Sequence, residues 1–301
     1  METTAKTEIL ELIKEKRIIP EWEIGLKRIE NMSAGMTNEN YLCEITNGKK
    51  YVIRIPGAGT SQMIDRLSEW YNHQLVEQLD INTKHVCFLK GSWIKASEYI
   101  EDDFCQLSSN REKVPFVCNV LTKLHTSNIK FNNKFWVVDK ILSFESILLK
   151  ENSLLDDQYY FIRKELKNKY DLFLETKILW TPCHNDLVSE NLLLNNDKIY
   201  LIDWEYSGMN DPLWDIASFS IENNLTDEDD NYMLQLYFSN SERNRSEITL
   251  LLMLFKIYQD ILWYLWAKIK INAGVDFVSY AANRIERAQN NYLNLSGSLK
   301  C

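Results

Sequence analysis

Three residue types in one short region carry chemistry. His184-Asn185-Asp186 is followed by Asn191 and then by Asp203, and what lies between is largely apolar: Leu192–Leu194 directly after Asn191, and Ile199–Ile202 leading into Asp203. An amide and two carboxylates, with no thiolate beside them and few histidines, form an oxygen-rich donor set. Such a set suits Mg²⁺ and not zinc or copper. Magnesium held by a protein Asp and Asn usually carries a nucleotide's phosphates. Phosphoryl transfer then needs one more carboxylate, to receive the proton of the attacking hydroxyl. Asp186 fits that role, and Asn191 and Asp203 fit the metal. Each of these residues alone would only cap a turn or end a strand. Their order and spacing together point to a phosphotransferase.

The elements around them must bring the groups together. "NLLLNNDKIYLID" has the pattern of a hairpin, two apolar strands about an Asn-Asn-Asp turn, and a hairpin sets Asn191 and Asp203 at the same end. Asp186 lies in the loop leading in, and its interval to Asn191 is the Asp-x₄-Asn of a kinase catalytic loop. No Walker A sequence is present, which argues against a P-loop enzyme. "SAGMTNENY" is a small-residue turn between two strands, where backbone N–H groups of Gly35, Met36 and Thr37 could face phosphate oxygens. A single glycine there also suits an ordinary hairpin turn. Arg54, flanked by Val52, Ile53 and Ile55 in the next strand, is placed to pair with phosphates. A helix carboxylate would orient it, Glu69 first and Glu77 second. The plainer alternative is an exposed strand arginine.

Length and composition bound the rest. A chain of 301 residues, 45% hydrophobic and 12% aromatic, can bury a large core and has the length of roughly two lobes. A net charge of −9 argues against nucleic acid or an anionic membrane as partner, since both call for a basic face. The cysteines at 43, 87, 105, 118, 183 and 301 form no CxxC pair, so reduced thiols in a cytoplasmic protein are expected. The N-terminal segment lacks the apolar core of a secretory signal. Ile248–Ile271 is long enough to span a bilayer, but Lys256, Asp260 and Lys268 interrupt it. A buried amphipathic helix is therefore predicted.

Along the chain, "IGLKRIEN", "NYLCEIT" and "KYVIRIPG" predict three consecutive antiparallel strands. A helix follows over residues 61–80, with Met63, Ile64, Leu67, Trp70, Tyr71, Leu75, Val76 and Leu79 on or near one face. "HVCFLK" and "WIKASEYI" predict two further strands. Helical patterns dominate beyond Glu101. The expectation is an N-terminal nucleotide-binding lobe over residues 1–100 and a C-terminal catalytic and acceptor-binding lobe over residues 101–301. With 5 prolines and 9 glycines, no flexible linker is expected between them. The acidic runs near 101 and 226 suit solvated loops or helix starts.

"CHNDLVSENLLL", "LIDWEYSGMNDPLWDIASF" and "DILWYLWAKIK" together resemble the choline/ethanolamine kinase family, particularly its bacterial LicA-type members, within the wider aminoglycoside-phosphotransferase-like group. The resemblance runs from about Ile29 to about Arg287. It implies an α+β, bilobal protein-kinase-like fold, with a small antiparallel-sheet lobe, a larger mainly helical lobe, and ATP and Mg²⁺ as cofactors. Carried over by motif, Asp186 would be the catalytic base, and Asn191 and Asp203 the metal ligands. Arg54 and the turn Ser33–Asn38 (Ser33, Gly35, Met36, Thr37, Asn38) would meet phosphates, and backbone at Glu98, Tyr99 and Ile100 would meet adenine. "VSEN" departs from the glycine that many members place before the asparagine. Glu190 there would alter the loop backbone without displacing Asn191.

The acceptor expectation rests on aromatic residues. A quaternary ammonium donates no hydrogen bond, so proteins surround it with π-faces worth roughly 0.5–2 kcal/mol each. Trp263 and Trp266 lie three apart on a predicted helix and share a face, and Trp and Tyr at such spacing also suit a plain core. Family members use a Trp pair at this motif for the choline headgroup. Phe277 and Tyr280 match aromatics that help close that pocket, with phenylalanine at 277 where choline kinases often have tyrosine. The resemblance places Glu222 near the cation, and Trp204 and Tyr206 would line the acceptor side. Asp215 would brace the catalytic loop, with His184 a scaffold residue beside it. The leading expectation is an ATP-dependent choline kinase giving phosphocholine, with a small-molecule partner. Ethanolamine, thiamine and aminoglycoside kinases are the alternatives within the fold. A catalytically inactive binding module would require the loss of Asp186, Asn191 or Asp203, and all are present.

Overall fold

A computed structural model describes residues 11, 13, 15–19, 23, 25–32, 37–57 and 59–298. Ser33, Gly35 and Met36 lie outside the described residues. The chain forms two compact units, one of residues 1–132 with 189–207 and the other of residues 133–188 with 208–301.

The first unit is built on a five-stranded antiparallel sheet of β1 (Leu26–Met32), β2 (Asn38–Ile45), β3 (Lys50–Pro56), β4 (His85–Phe88) and β5 (Lys95–Glu98), in the spatial order β1-β2-β3-β5-β4. All five strands coincide with the expected segments. Successive side chains on a strand point to opposite faces, and that alternation sorts this sheet chemically. Tyr41, Ile53 and Ala96 lie opposite one another in register and join Cys43, Ile29, Ile13, Ile18 and Ile19 in an apolar core. The same alternation turns Arg54 and its register partner Lys95 to the other face. Gly57 ends β3 against the start of β2: a Cβ there would sit 2.3 Å from the Thr37 carbonyl oxygen, so only glycine permits this approach.

Helix α1 (Arg66–Val76) departs from the expected apolar face. Its buried residues are Arg66, Glu69, Asn72, His73 and Val76, whereas Leu67 and Tyr71 are 42% and 43% exposed. The surface beneath it is polar, so the helix buries the side chains that can bond there. The expected hairpin is present as β7 (Leu192–Asn195) and β8 (Lys198–Leu201). Asn196 and Asp197 turn it with φ of 48° and 59°, the paired left-handed conformations of a tight hairpin turn.

The second unit is mainly helical. Its helices are α3 (Val137–Lys150), α4 (Asp157–Lys169), α5 (Asp171–Lys177), α6 (Pro212–Glu222), α7 (Asp227–Tyr237), α8 (Arg245–Asn272) and α9 (Val278–Ser298), while α2 (Asn110–His125) belongs to the first unit. A short pair, β6 (Thr181–Cys183) and β9 (Gly208–Asn210), frames the loop that carries Asp186. Helix α8 is long and apolar enough to cross a membrane, yet 78% of its most apolar window is buried in the protein. Its charges are satisfied internally: Lys256 bonds Asp230, and Asp260 bonds Arg284 and Arg287. This is the buried helix the interrupting charges predicted.

Candidate active site

Asp186 sits on a loop fixed from behind. His184 and Asn185 are fully buried, and Asp215 on α6 accepts both of their backbone N–H groups, at 2.9 and 2.7 Å. The Trp214 indole N–H donates to the Asn185 carbonyl at 3.2 Å, and the Leu187 N–H donates to the Ser218 hydroxyl at 3.0 Å. Asn185 takes a left-handed φ of 70°, a conformation asparagine tolerates. Asn210 holds it by donating to Oδ1 at 2.9 Å. The loop is thus saturated with bonds on both sides of Asp186, which itself is only partly buried. The bracing role expected of Asp215 is what the geometry shows.

The same unit holds the aromatic residues. Trp263 and Trp266 on α8 are 6% and 4% exposed. Trp266 meets Phe277 and Tyr280 edge to face, at centroid distances of 5.0 and 6.2 Å, and Phe277 and Tyr280 are 5.8 Å apart. Lys270 already lies 5.3 Å from the Trp266 ring centroid, so this ring receives a cation within the protein. The Trp266 indole N–H is buried and has no hydrogen-bond partner among the described residues. Burial lifts the Tyr280 hydroxyl above the usual phenol range; Arg284 pulls it back, and the charges of Glu222 and Asp186 add to the rise.

Glu222, the carboxylate expected near the cation, is engaged by Arg284. The same guanidinium group donates to the Tyr280 hydroxyl at 2.7 Å and to Asp260 at 3.1 Å. Sequence reasoning missed Arg284. Its position one helical turn after Tyr280 was the available signal.

In the first unit Arg54, Asn38 and Asp203 converge on one ionic network with Glu69. Arg54 Nη1 lies 2.5 Å from Glu69 Oε1 and 2.6 Å from Asp203 Oδ1, so Glu69 is the orienting carboxylate. Glu77, the second choice, stands instead 3.8 Å from His73. Asp203 ends its apolar strand in a left-handed conformation, with φ of 61°. Asn191 is 7% exposed, and its carbonyl accepts the Ile202 N–H at 3.0 Å. That bond ties the two expected metal ligands to one end of the hairpin.

Arg66, Thr60, Glu205 and Lys95 in this network were not foreseen. Arg66 donates to Glu69 at 2.9 Å, Glu205 at 3.0 Å, Asn38 at 2.9 Å and Thr60 at 3.1 Å. Glu205 also accepts from Asn38 Nδ2 at 2.8 Å. Burial pushes Glu205 up to about 7, with the Asp203 charge adding to the rise. Lys95, beside Arg54, is pushed down to about 8 by burial and then by the Arg54 charge. Burial alone would raise Glu69 and Asp203, but the charges of Arg54 and Lys95 and the Arg54 hydrogen bond together hold both below the usual carboxylate range.

Some expectations are corrected. Trp204 is fully buried, with its indole N–H on the Leu201 carbonyl at 3.1 Å, and Tyr206 is 5% exposed. Both pack in the first unit, so Trp204 has no open face for an acceptor. Asn38, at the end of the expected phosphate turn, has its side chain in the ionic network, and Thr37 lies at the Gly57 approach. The Glu98 and Tyr99 N–H groups are taken by the carbonyls of Lys84 and Lys50, at 2.9 and 3.0 Å. An adenine contact from Glu98 or Tyr99 would therefore run through a carbonyl oxygen; Ile100 in that segment is half-buried.

The donor set fits a hard cation: Asn191 and Asp203 offer oxygen, and the neighbouring Glu205 adds a carboxylate. A second group, His73, Glu77 and His85, brings ligand atoms within 4.8 Å of one another. Burial, then the Lys95 charge, pushes His85 down to about 4 and His73 well below its usual value. That nearby positive charge opposes a further cation there.

Comparison with known proteins adds four findings. The family model described as Choline/ethanolamine kinase matches residues 29–242. A protein named LicA from Haemophilus influenzae is 35% identical over 263 residues, which cover 84% of this chain and 77% of that protein. The crystal structure of choline kinase LicA from Streptococcus pneumoniae superposes with a TM-score of 0.82 at 31% identity, over 96% of this chain and 99% of that one. A structure of LicA in complex with AMP gives a TM-score of 0.77 at 31% identity, over 95% and 98%.

Proposed function

The chain belongs to the choline/ethanolamine kinase family and is a phosphotransferase with an alcohol group as acceptor; from that premise we propose that it moves the γ-phosphoryl group of ATP to the hydroxyl of choline, giving phosphocholine. The observation that carries the choice of acceptor is the edge-to-face cluster of Trp266, Phe277 and Tyr280 in the unit that also holds Asp186. A trimethylammonium head offers no hydrogen bond and gains from π-faces. Its hydroxyl arm would then extend toward Asp186.

In this reading Asp186 accepts the proton of the choline hydroxyl as the oxygen attacks phosphorus. Its loop is braced by Asp215, so the carboxylate is held without reorganising. Arg54, oriented by Glu69, neutralises phosphate charge. Asn191 and Asp203 would hold Mg²⁺, with Glu205 beside them. That ion supplies charge neutralisation on the phosphate oxygens.

ADP release with Mg²⁺–ATP, measured on choline, ethanolamine, thiamine and kanamycin, tests the reading with Asp186→Asn as control. Highest turnover on choline, abolished in the control, is expected. Highest turnover on another acceptor would overturn the choline assignment while leaving the phosphotransferase in place.

A further inference from the structure

The one carboxylate expected to meet a cationic headgroup is not free to do so. Glu222 ends α6, and Arg284 from α9 reaches it with Nη2. The same Nη2 donates to the Tyr280 hydroxyl oxygen at 2.7 Å, and the guanidinium carbon lies 4.7 Å from the Tyr280 ring centroid. Nη1 donates to Asp260 Oδ1 at 3.1 Å. Asp260 is fully buried and is held further by Arg287, through Nε at 2.8 Å and Nη2 at 2.6 Å. Arg284 is itself 4% exposed.

This arrangement is neutral as a group: two carboxylates, Glu222 and Asp260, face two guanidinium groups, Arg284 and Arg287. It also occupies the acceptors beside the aromatic cluster. A primary ammonium buried there would need oxygens to receive its N–H bonds, because an unmet buried donor is costly. A quaternary ammonium has no N–H bond to satisfy. It gains from π-faces, and Trp266, Phe277 and Tyr280 supply them. Resting on the acceptor reading above, we propose that Arg284 is a specificity-determining residue: by holding Glu222 and the Tyr280 hydroxyl, it biases this site toward quaternary and against primary ammonium alcohols.

The test compares kcat/KM for choline and for ethanolamine at saturating Mg²⁺–ATP in the full chain. Arg284→Gln releases Glu222 and should shift the choline-to-ethanolamine ratio toward ethanolamine by about tenfold, the scale of one charge-assisted hydrogen bond. The double variant Glu222→Gln/Arg284→Gln has no carboxylate to release, and its ratio should return toward wild type. Should Arg284→Gln fail to fold, Arg284→Lys carries the test. Its ammonium cannot span Glu222, Tyr280 and Asp260 together, so a smaller shift of the same sign is expected. Parallel losses on both acceptors, or a double variant identical to the single one, would overturn the role of Arg284. A folded wild-type chain that phosphorylates neither acceptor would instead remove the acceptor reading, and this proposal with it.

Discussion

Arg54 Nη1 stands between Glu69 and Asp203, 2.5 Å from one carboxylate and 2.6 Å from the other. A strand residue, a helix residue and a residue far along the chain therefore share one buried charge. The contact unites the expected phosphate-binding cation with an expected metal ligand, so a cation bound at Asp203 would compete with Arg54 for it.

Removing that guanidinium should be costly. Arg54→Met leaves Glu69 buried without its closest cation, and breaking a buried pair in this way destabilises by roughly 3–5 kcal/mol. Urea unfolding should show the loss directly. Arg54→Lys keeps the charge but cannot fork between two carboxylates. It should retain most of the stability while raising KM for ATP, a split that steady-state kinetics would reveal.

Asp215 accepts two backbone N–H groups from the loop that carries Asp186. Asp215→Ala should lose on the order of 2–4 kcal/mol of stability, since two buried donors are stranded. It should also lower kcat, because Asp186 is no longer held in place. Asp215→Asn keeps one acceptor oxygen and should be milder on both counts. Equal kcat in the two variants would contradict the brace.

Lys95 sets a pH dependence with a definite sign. Its folded value is pushed down to about 8 from the ordinary lysine value of 10.5. Between those limits the unfolded chain binds more protons than the folded one, so stability rises with pH across that window. Lys95→Met should abolish this rise. Paired urea melts at about pH 7.5 and about pH 10 would check it.

Trp266→Ala should raise KM for choline by about tenfold, the equivalent of one desolvated cation–π contact. The KM for ATP should stay near its wild-type value, because Trp266 lies in the helical unit with the acceptor aromatics. Equal effects on both substrates would mean that the ring is only core.

Much of the architecture was legible before any coordinates. The sheet strands, the Asn196-Asp197 hairpin and the long buried helix follow from alternation, turn chemistry and charge interruptions, all local properties of the chain. Asp186, Asn191 and Asp203 could be singled out because polar groups break apolar runs at telling intervals. Glu69 could be paired with Arg54 because a buried strand cation requires a carboxylate within reach. The expected face of helix α1 holds at Val76 but not at Leu67 and Tyr71, because apolar periodicity ranks residues by hydrophobicity and cannot see that the opposing surface is charged. Trp204 was assigned to the acceptor for a related reason: an aromatic residue beside a catalytic motif gives no sign of which way its ring turns.

By itself the sequence determined the kind of chemistry, the order of the elements and the residues that had to be spent on function, since these depend on residue type and on spacing along the chain. Only the tertiary structure decided the partners. Arg66 joins Glu69 to Glu205, and Arg284 joins Glu222 to Asp260, across separations of 139 and 24 residues for Arg66–Glu205 and Arg284–Asp260. A buried charge must be matched by whatever group the fold brings within about 3 Å, where the Coulomb energy offsets desolvation. No local pattern records that meeting.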